Sequence, residues 1–196
     1  MSSQSRSGYL SFTLLREYAW CPRSAYFKLH GVWEPVTWSM RAGRYESALL
    51  EGVLRRNGFQ GELLLEYPLA SPSLGLRGRV DAVLLTADGE AAPVEAKRRS
   101  GRGRRYLHHR VQAAAYCIAV EETMRRPCSR VLLVDVERGR VIAEPVGRRL
   151  RGLAVGMAER LWAVARSQAL PEATKRRQRC GSCFYRGICP PSRTRM

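Results

Sequence analysis

The chain has 196 residues, 45% of them hydrophobic, which suits one globular domain with a core and excludes a disordered chain. No apolar run reaches the ~20 residues of a membrane span, and "MSSQSRSGYLS" has no signal-peptide core, so a cytoplasmic location without membrane contact is expected. A formal net charge of +17 predicts a polyanionic partner, nucleic acid being the commonest, although charge alone leaves a ribosome-like or membrane-surface protein open.

From the N-terminus, "SFTLLREYAWCPRSAYFKLHG" reads as two short helices, the second begun by Pro22 directly after Cys21. Apolar residues recur at helical spacing over 39–57, and Gly58 ends that helix. Residues 62–70, 76–86 and 92–98 carry strand patterning, with "ADGE" turning the second strand into the third. A basic loop over 98–105 leads to a helix over 106–125, a hairpin "RVLLVDVERGRVIAEPV" and a helix over 148–168. A Pro- and Cys-bearing tail fills 171–196. This order predicts an α/β fold with a mixed central sheet flanked by helices.

Glu95 and Lys97 are two apart on a predicted strand, so both leave the same face. An even register across "ADGE" sets Asp81 opposite Glu95 or Lys97 on that face, whereas a one-residue slip turns it away. Two carboxylates so close repel, and a divalent cation relieves the repulsion while polarising a phosphoryl oxygen. Only three of the 34 basic residues are lysines, Lys28, Lys97 and Lys175. A compact ammonium can orient a water where the broad arginine fork cannot. Gln112 and Tyr116, four apart on the next helix, share one face. Each feature also has an ordinary reading: a surface Glu–Lys pair, and a helix face packed on the sheet.

Six cysteines in a cytosolic chain point to metal ligation before disulfides. Cys180, Cys183 and Cys189 form a tight trio that leaves a four-ligand site one short, and Cys21 is the candidate fourth. Four thiolates suit zinc as well as iron–sulfur. Cys117 and Cys128 have no partner at ligand spacing and read as buried or incidental.

Asp81, Glu95-x-Lys97 and Gln112-x-x-x-Tyr116, in this order on these elements, resemble the RecB-like branch of the PD-(D/E)xK nucleases. The "YAWCPRSAYF" opening, "GRVDAV", "VEAKR" and the terminal cysteine trio narrow the resemblance to the CRISPR-associated exonucleases numbered four among the Cas proteins. The resemblance implies a metal-dependent single-stranded DNA exonuclease of 5'-to-3' polarity that trims captured DNA ends beside the Cas integrase in spacer acquisition. It implies Mg2+ or Mn2+ at Asp81 and Glu95, catalysis aided by Lys97, Gln112 and Tyr116, and a [4Fe–4S] or [2Fe–2S] cluster on Cys21, Cys180, Cys183 and Cys189. It also implies a single nuclease domain over residues 1–196. Within it, a helical N-terminal segment over residues 1–60 bears the first cysteine, a nuclease core spans 61–170, and the cysteine-bearing tail spans 171–196.

The sequence departs from that family at one place. A metal-binding histidine is expected after a "GR" dipeptide, but here the segment reads "RAGRYESALL". Glu46 could supply an oxygen ligand instead, with Ser47 as the alternative position. Two further readings stay open: an inactive subunit that guides DNA ends to the integrase, and a basic zinc-ribbon binder.

Overall fold

The computed structural model describes residues 8–32, 47–97 and 106–190. The predicted basic loop 98–105, Glu46 and the beginning of the expected 39–57 helix lie outside these residues. Strand β1 (Leu10–Ser11) runs directly into α1 (Phe12–Trp20), where the Ser11 hydroxyl accepts the Leu14 N–H at 3.1 Å as an N-cap. Cys21 ends α1 and also precedes α2 (Pro22–Leu29), so its extended backbone is fixed from both sides and Pro22 occupies the first helical position. Helix α3 (Ser47–Arg56) leads to β2 (Glu62–Ser71), β3 (Leu76–Leu85) and β4 (Ala91–Lys97). Helix α4 (Leu107–Met124) crosses over to β5 (Arg130–Asp135), followed by β6 (Arg140–Pro145) and α5 (Arg148–Arg166). Two 3-10 turns, Arg177–Ser182 and Phe184–Gly187, shape the tail.

The strands form one mixed sheet in the order β1-β3-β4-β5-β6, with β2 on the other side of β3. Strands β4 and β5 are parallel and joined through α4, as a crossover helix allows. Pro68 sits on β2, which among the described residues pairs only with β3, an edge position that tolerates its missing N–H. One face of the sheet packs on α1 and α4, with α2 and α5 packed on those helices, in a core holding Phe12, Leu15, Val83, Val111 and Leu161. The other face packs on α3 through Leu50, Val53 and Leu54. No helix among the described residues is long and apolar enough to cross a membrane.

The hairpin β2–β3 changes phase in its middle. In β3, Leu76 and Val80 face the α4 side, but beyond Asp81 it is Val83 that does so, while Ala82 and Leu84 face α3. In β2 the same switch falls between Leu64 and Tyr67. The register stays unbroken across it, Leu65 pairing with Ala82 and Tyr67 with Val80, so Glu66 and Asp81 face one another at the break. Glu66 takes a left-handed backbone, φ 46°, which a non-glycine residue rarely adopts. A strand that keeps its partner while exchanging its faces is locally kinked, and here the kink re-aims one side chain, Asp81.

Cys117 and Cys128 are not incidental: they form a disulfide, Cα–Cα 5.2 Å, that ties α4 to the segment entering β5. Spacing could not reveal the pair, because the residues meet only after α4 reverses at Arg125 (φ 57°), its left-handed C-cap. Two charge pairs brace the same helix. Arg110 Nε donates to the buried Glu144 carboxylate at 2.8 Å, and Arg151 grips Glu121 with both guanidinium nitrogens at 2.7 and 2.9 Å.

Candidate active site

The β3–β4 pairing places the two carboxylates. Ala82 pairs with Val94, and one step further Asp81 and Glu95 stand across from each other. There the strands separate, and the Asp81 carboxylate takes over from a backbone carbonyl: its Oδ2 accepts the Ala96 N–H at 2.7 Å. This bond spans adjacent strands in the plane of the sheet, which the kink at Asp81 makes possible. Lys97 closes β4 at the register position of Asp135 on β5.

Helix α4 covers this sheet edge with Gln112 and Tyr116, both buried. The Gln112 side-chain amide donates to the Tyr116 hydroxyl oxygen at 3.1 Å, leaving the hydroxyl proton to point elsewhere. Burial pushes the Tyr116 pKa above its ordinary value, and the negative charges of Glu95 and then Asp81 push it further. Arg16 and the Gln112 hydrogen bond act the other way. The hydroxyl therefore stays protonated at neutral pH, a neutral donor within electrostatic reach of two carboxylates. Glu95, Gln112, Tyr116 and His109 line one small recess. His109 was not among the expected site residues, although its spacing marks it: 109, 112 and 116 are i, i+3 and i+7 on one helix face.

The cysteines converge at the other end of the same side. Cys21, Cys180, Cys183 and Cys189 all line one cavity between α2 and the tail. Arg23, on the first turn of α2, is the latch. Its guanidinium donates to the carbonyls of Pro171 at 2.9 Å and Pro190 at 2.6 Å, and to Cys189 Sγ at 3.6 Å. Phe27 stacks on Tyr185 at 5.1 Å, and the Tyr185 hydroxyl donates to the Val32 carbonyl at 3.0 Å. Burial pushes the Cys183 thiol up, with the charges of Cys21, Cys180 and Cys189 adding to it against a backbone hydrogen bond at Tyr185. Four cysteine sulfurs lining one cavity are a soft donor set of the number that a zinc or iron–sulfur centre takes, so the residues fit one. Among the described residues, no group of three or more His, Cys, Asp or Glu is arranged to hold a metal ion, so the four sulfurs are not preset at ligating distances.

A model of the PD-(D/E)XK nuclease superfamily matches residues 33–190, so the chain is a nuclease of that class. The CRISPR-associated exonuclease Cas4 of Aeropyrum pernix is 32% identical over 191 residues, covering 91% of this chain and 94% of that protein. The Cas4 of Thermoproteus tenax is 28% identical over 178 residues, covering 90% and 91%. The chain belongs to the Cas4 family of CRISPR-associated exonucleases, and is a DNA-cleaving phosphodiester hydrolase. A Cas4 exonuclease/Cas1 endonuclease fusion of Myxococcus xanthus is 31% identical over 136 residues, 67% of this chain and 24% of the fusion. The crystal structure of a candidate exonuclease from Eubacterium rectale shares the fold, with a TM-score of 0.56 at 12% identity over 100% of this chain and 96% of that one.

Proposed function

We propose that the enzyme is a metal-dependent, 5'-to-3' exonuclease of single-stranded DNA that carries an iron–sulfur cluster and trims DNA ends for spacer acquisition. The observation that carries this reading is the strand register that sets Asp81 across from Glu95, beside the recess that Glu95, Gln112 and Tyr116 line. Asp81 and Glu95 would hold Mg2+ or Mn2+, with Glu46 or Ser47 as a further oxygen donor. Such a cation supplies polarisation of the phosphoryl oxygen and activation of water. The Ala96 N–H fixes the orientation of the Asp81 carboxylate. Tyr116, oriented by Gln112, is a hydrogen-bond donor beside the developing charge. Lys97, at the end of the same strand as Glu95, is the residue we assign to orienting the attacking water.

The cluster, [4Fe–4S] or the smaller [2Fe–2S], would sit on Cys21, Cys180, Cys183 and Cys189 and hold the tail to α2. Phosphodiester hydrolysis needs no electron, so its role is structural. The net charge of +17 supports a polyanionic substrate. The Myxococcus protein, whose name joins Cas4 to Cas1, supports work beside an integrase. The test is nucleotide release from an end-labelled single strand with and without Mn2+, on protein prepared anaerobically and assayed for iron and sulfide. Metal-dependent release from brown protein supports the reading. Tight DNA binding without release supports the guiding subunit instead, and stoichiometric zinc without iron removes the cluster.

A further inference from the structure

Between the cysteine cavity and the carboxylate recess runs a groove of about 800 Å3. Trp20, Ser24, Cys183 and Tyr185 border both the groove and the cysteine cavity. At its other end His109 lines both the groove and the recess that holds Glu95. The three spaces therefore adjoin one another in series, from the tail to the recess lined by Glu95.

The walls of the groove combine two chemistries. Arg16, His108 and His109 supply basic groups, and Glu17 supplies the opposite charge. That carboxylate is occupied within the protein: Lys28 Nζ lies at 3.1 Å, Arg16 at 3.4 Å, and the Ser24 hydroxyl donates at 3.0 Å. It therefore presents little net charge to a polyanion. Phe184 is half exposed at 50%, although the tail buries its neighbour Tyr185 against Phe27. Tyr106, 47% exposed, stacks on His108 at 5.7 Å just outside the groove. Exposed rings interleaved with basic groups suit a ligand with flat apolar faces on a polyanionic backbone, which an unpaired DNA strand presents and a duplex conceals.

We propose that this groove holds the unpaired nucleotides adjoining the scissile phosphate, with a base stacked on Phe184 and with Arg16, His108 and His109 facing the backbone. The proposal rests on the reading of the chain as a DNA nuclease and deepens it. The cysteine-bearing tail is then more than a staple: it supplies one wall of the substrate path. His109, shared by groove and recess, is the positioning residue at the point where the strand enters the site.

The experiment uses the full chain, a short single-stranded oligodeoxynucleotide carrying 5-iodouracil, and no added divalent cation during binding. Light-induced crosslinks should map to the turn bearing Phe184. Phe184→Ala should weaken single-strand affinity and raise KM by about 5- to 100-fold, the range that loss of one base–aromatic stack gives, with kcat held. Phe184→Trp should restore both. Ile188→Ala is the control, because Ile188 is 57% exposed on the same tail and lines neither cavity. Wild-type affinity in Phe184→Ala, or an equal loss in Ile188→Ala, overturns the proposal. Crosslinking at Phe184 in protein that releases no nucleotide with Mn2+ would sink the nuclease chemistry while supporting the groove. Metal-dependent release without any dependence on Phe184 would do the reverse.

Discussion

The carboxylate recess and the cysteine cavity each share lining residues with one groove, but they are built on different principles. The recess is a product of regular structure. Strand register sets Asp81 across from Glu95, and helical periodicity sets Gln112 and Tyr116 above them. The cysteine cavity has no such frame, since its far wall is two 3-10 turns held to α2 by a handful of side chains, Arg23 foremost. The difference teaches that chemistry and staple should separate under mutation. Damage to the recess should stop cleavage and spare the fold, whereas damage to the cavity should release the tail first.

The largest effect expected is on cleavage. Asp81→Ala or Glu95→Ala should lower metal-dependent nucleotide release by at least about 1,000-fold, or ~4 kcal/mol of barrier. The melting midpoint of Glu95→Ala should stay near that of the parent, because removing one of two facing carboxylates relieves repulsion. Asp81→Ala also loses the acceptor of the Ala96 N–H and should melt somewhat lower without unfolding. By contrast, Cys183→Ala should leave little soluble protein, because the tail loses its staple. If an Asp81 variant unfolds while a Cys183 variant stays folded and active, the comparison is reversed.

The disulfide tests what braces the recess from behind. Closing the loop between Cys117 and Cys128, a sequence separation of 11, stabilises by about 3 kcal/mol in the chain-entropy account. The double change Cys117→Ala, Cys128→Ala should lose roughly that amount in a urea titration. A reductant should shift the parent but not the variant. If reductant leaves the parent unmoved, the two sulfurs are unlinked in solution.

Lys97 sharpens the chemical half. Lys97→Arg keeps the charge but not the compact point donor, and turnover should fall by about 100-fold, the loss of one positioned acid–base group. DNA affinity should hold, as one charge among many contributes little to the electrostatic attraction. Parental cleavage by this variant would make Lys97 an ordinary surface lysine.

These expectations rest on residues of unequal legibility. Periodicity revealed α4, the hairpin β5–β6 and all three strands of the central meander to within a residue or two, because each has a clean apolar pattern and a turn residue at its end. The pairing of Asp81 with Glu95 was legible as a parity argument on the "ADGE" turn. The kink was not: Glu66 looks like any solvent-face residue, and only the exchange of faces on both strands exposes its left-handed backbone. Strand β1 is two residues long and has no pattern to read. His109 was legible by helical spacing, but the family motif expects its histidine after a "GR" dipeptide, and "RAGRYESALL" has none. The Cys117–Cys128 link depends on a chain reversal, which spacing does not encode.

The smallest effect concerns the acid limb of stability and the brace between α1 and α2. Glu17 on α1 accepts from Lys28 and Ser24 on α2, so one carboxylate joins the two helices flanking Cys21. Burial alone would raise its pKa, but Lys28 and Arg16 outweigh this by charge, with hydrogen bonds from Lys28 and Ser24, and the net shift is downward. A carboxyl lowered on folding binds its proton less readily in the folded chain than in the unfolded one. Its contribution is therefore complete above the ordinary value of 4.5 and is lost as pH falls through the lower folded value. Urea midpoints measured from about pH 6 down through this range should fall more steeply for the parent than for Glu17→Gln. The variant should start lower at the upper end of that range, because Lys28 is then buried beside a neutral amide. The two curves should approach one another in acid. Parallel curves would mean that Glu17 contributes nothing specific to joining α1 and α2, and would leave Arg23 as the main link between α2 and the cysteine-bearing tail.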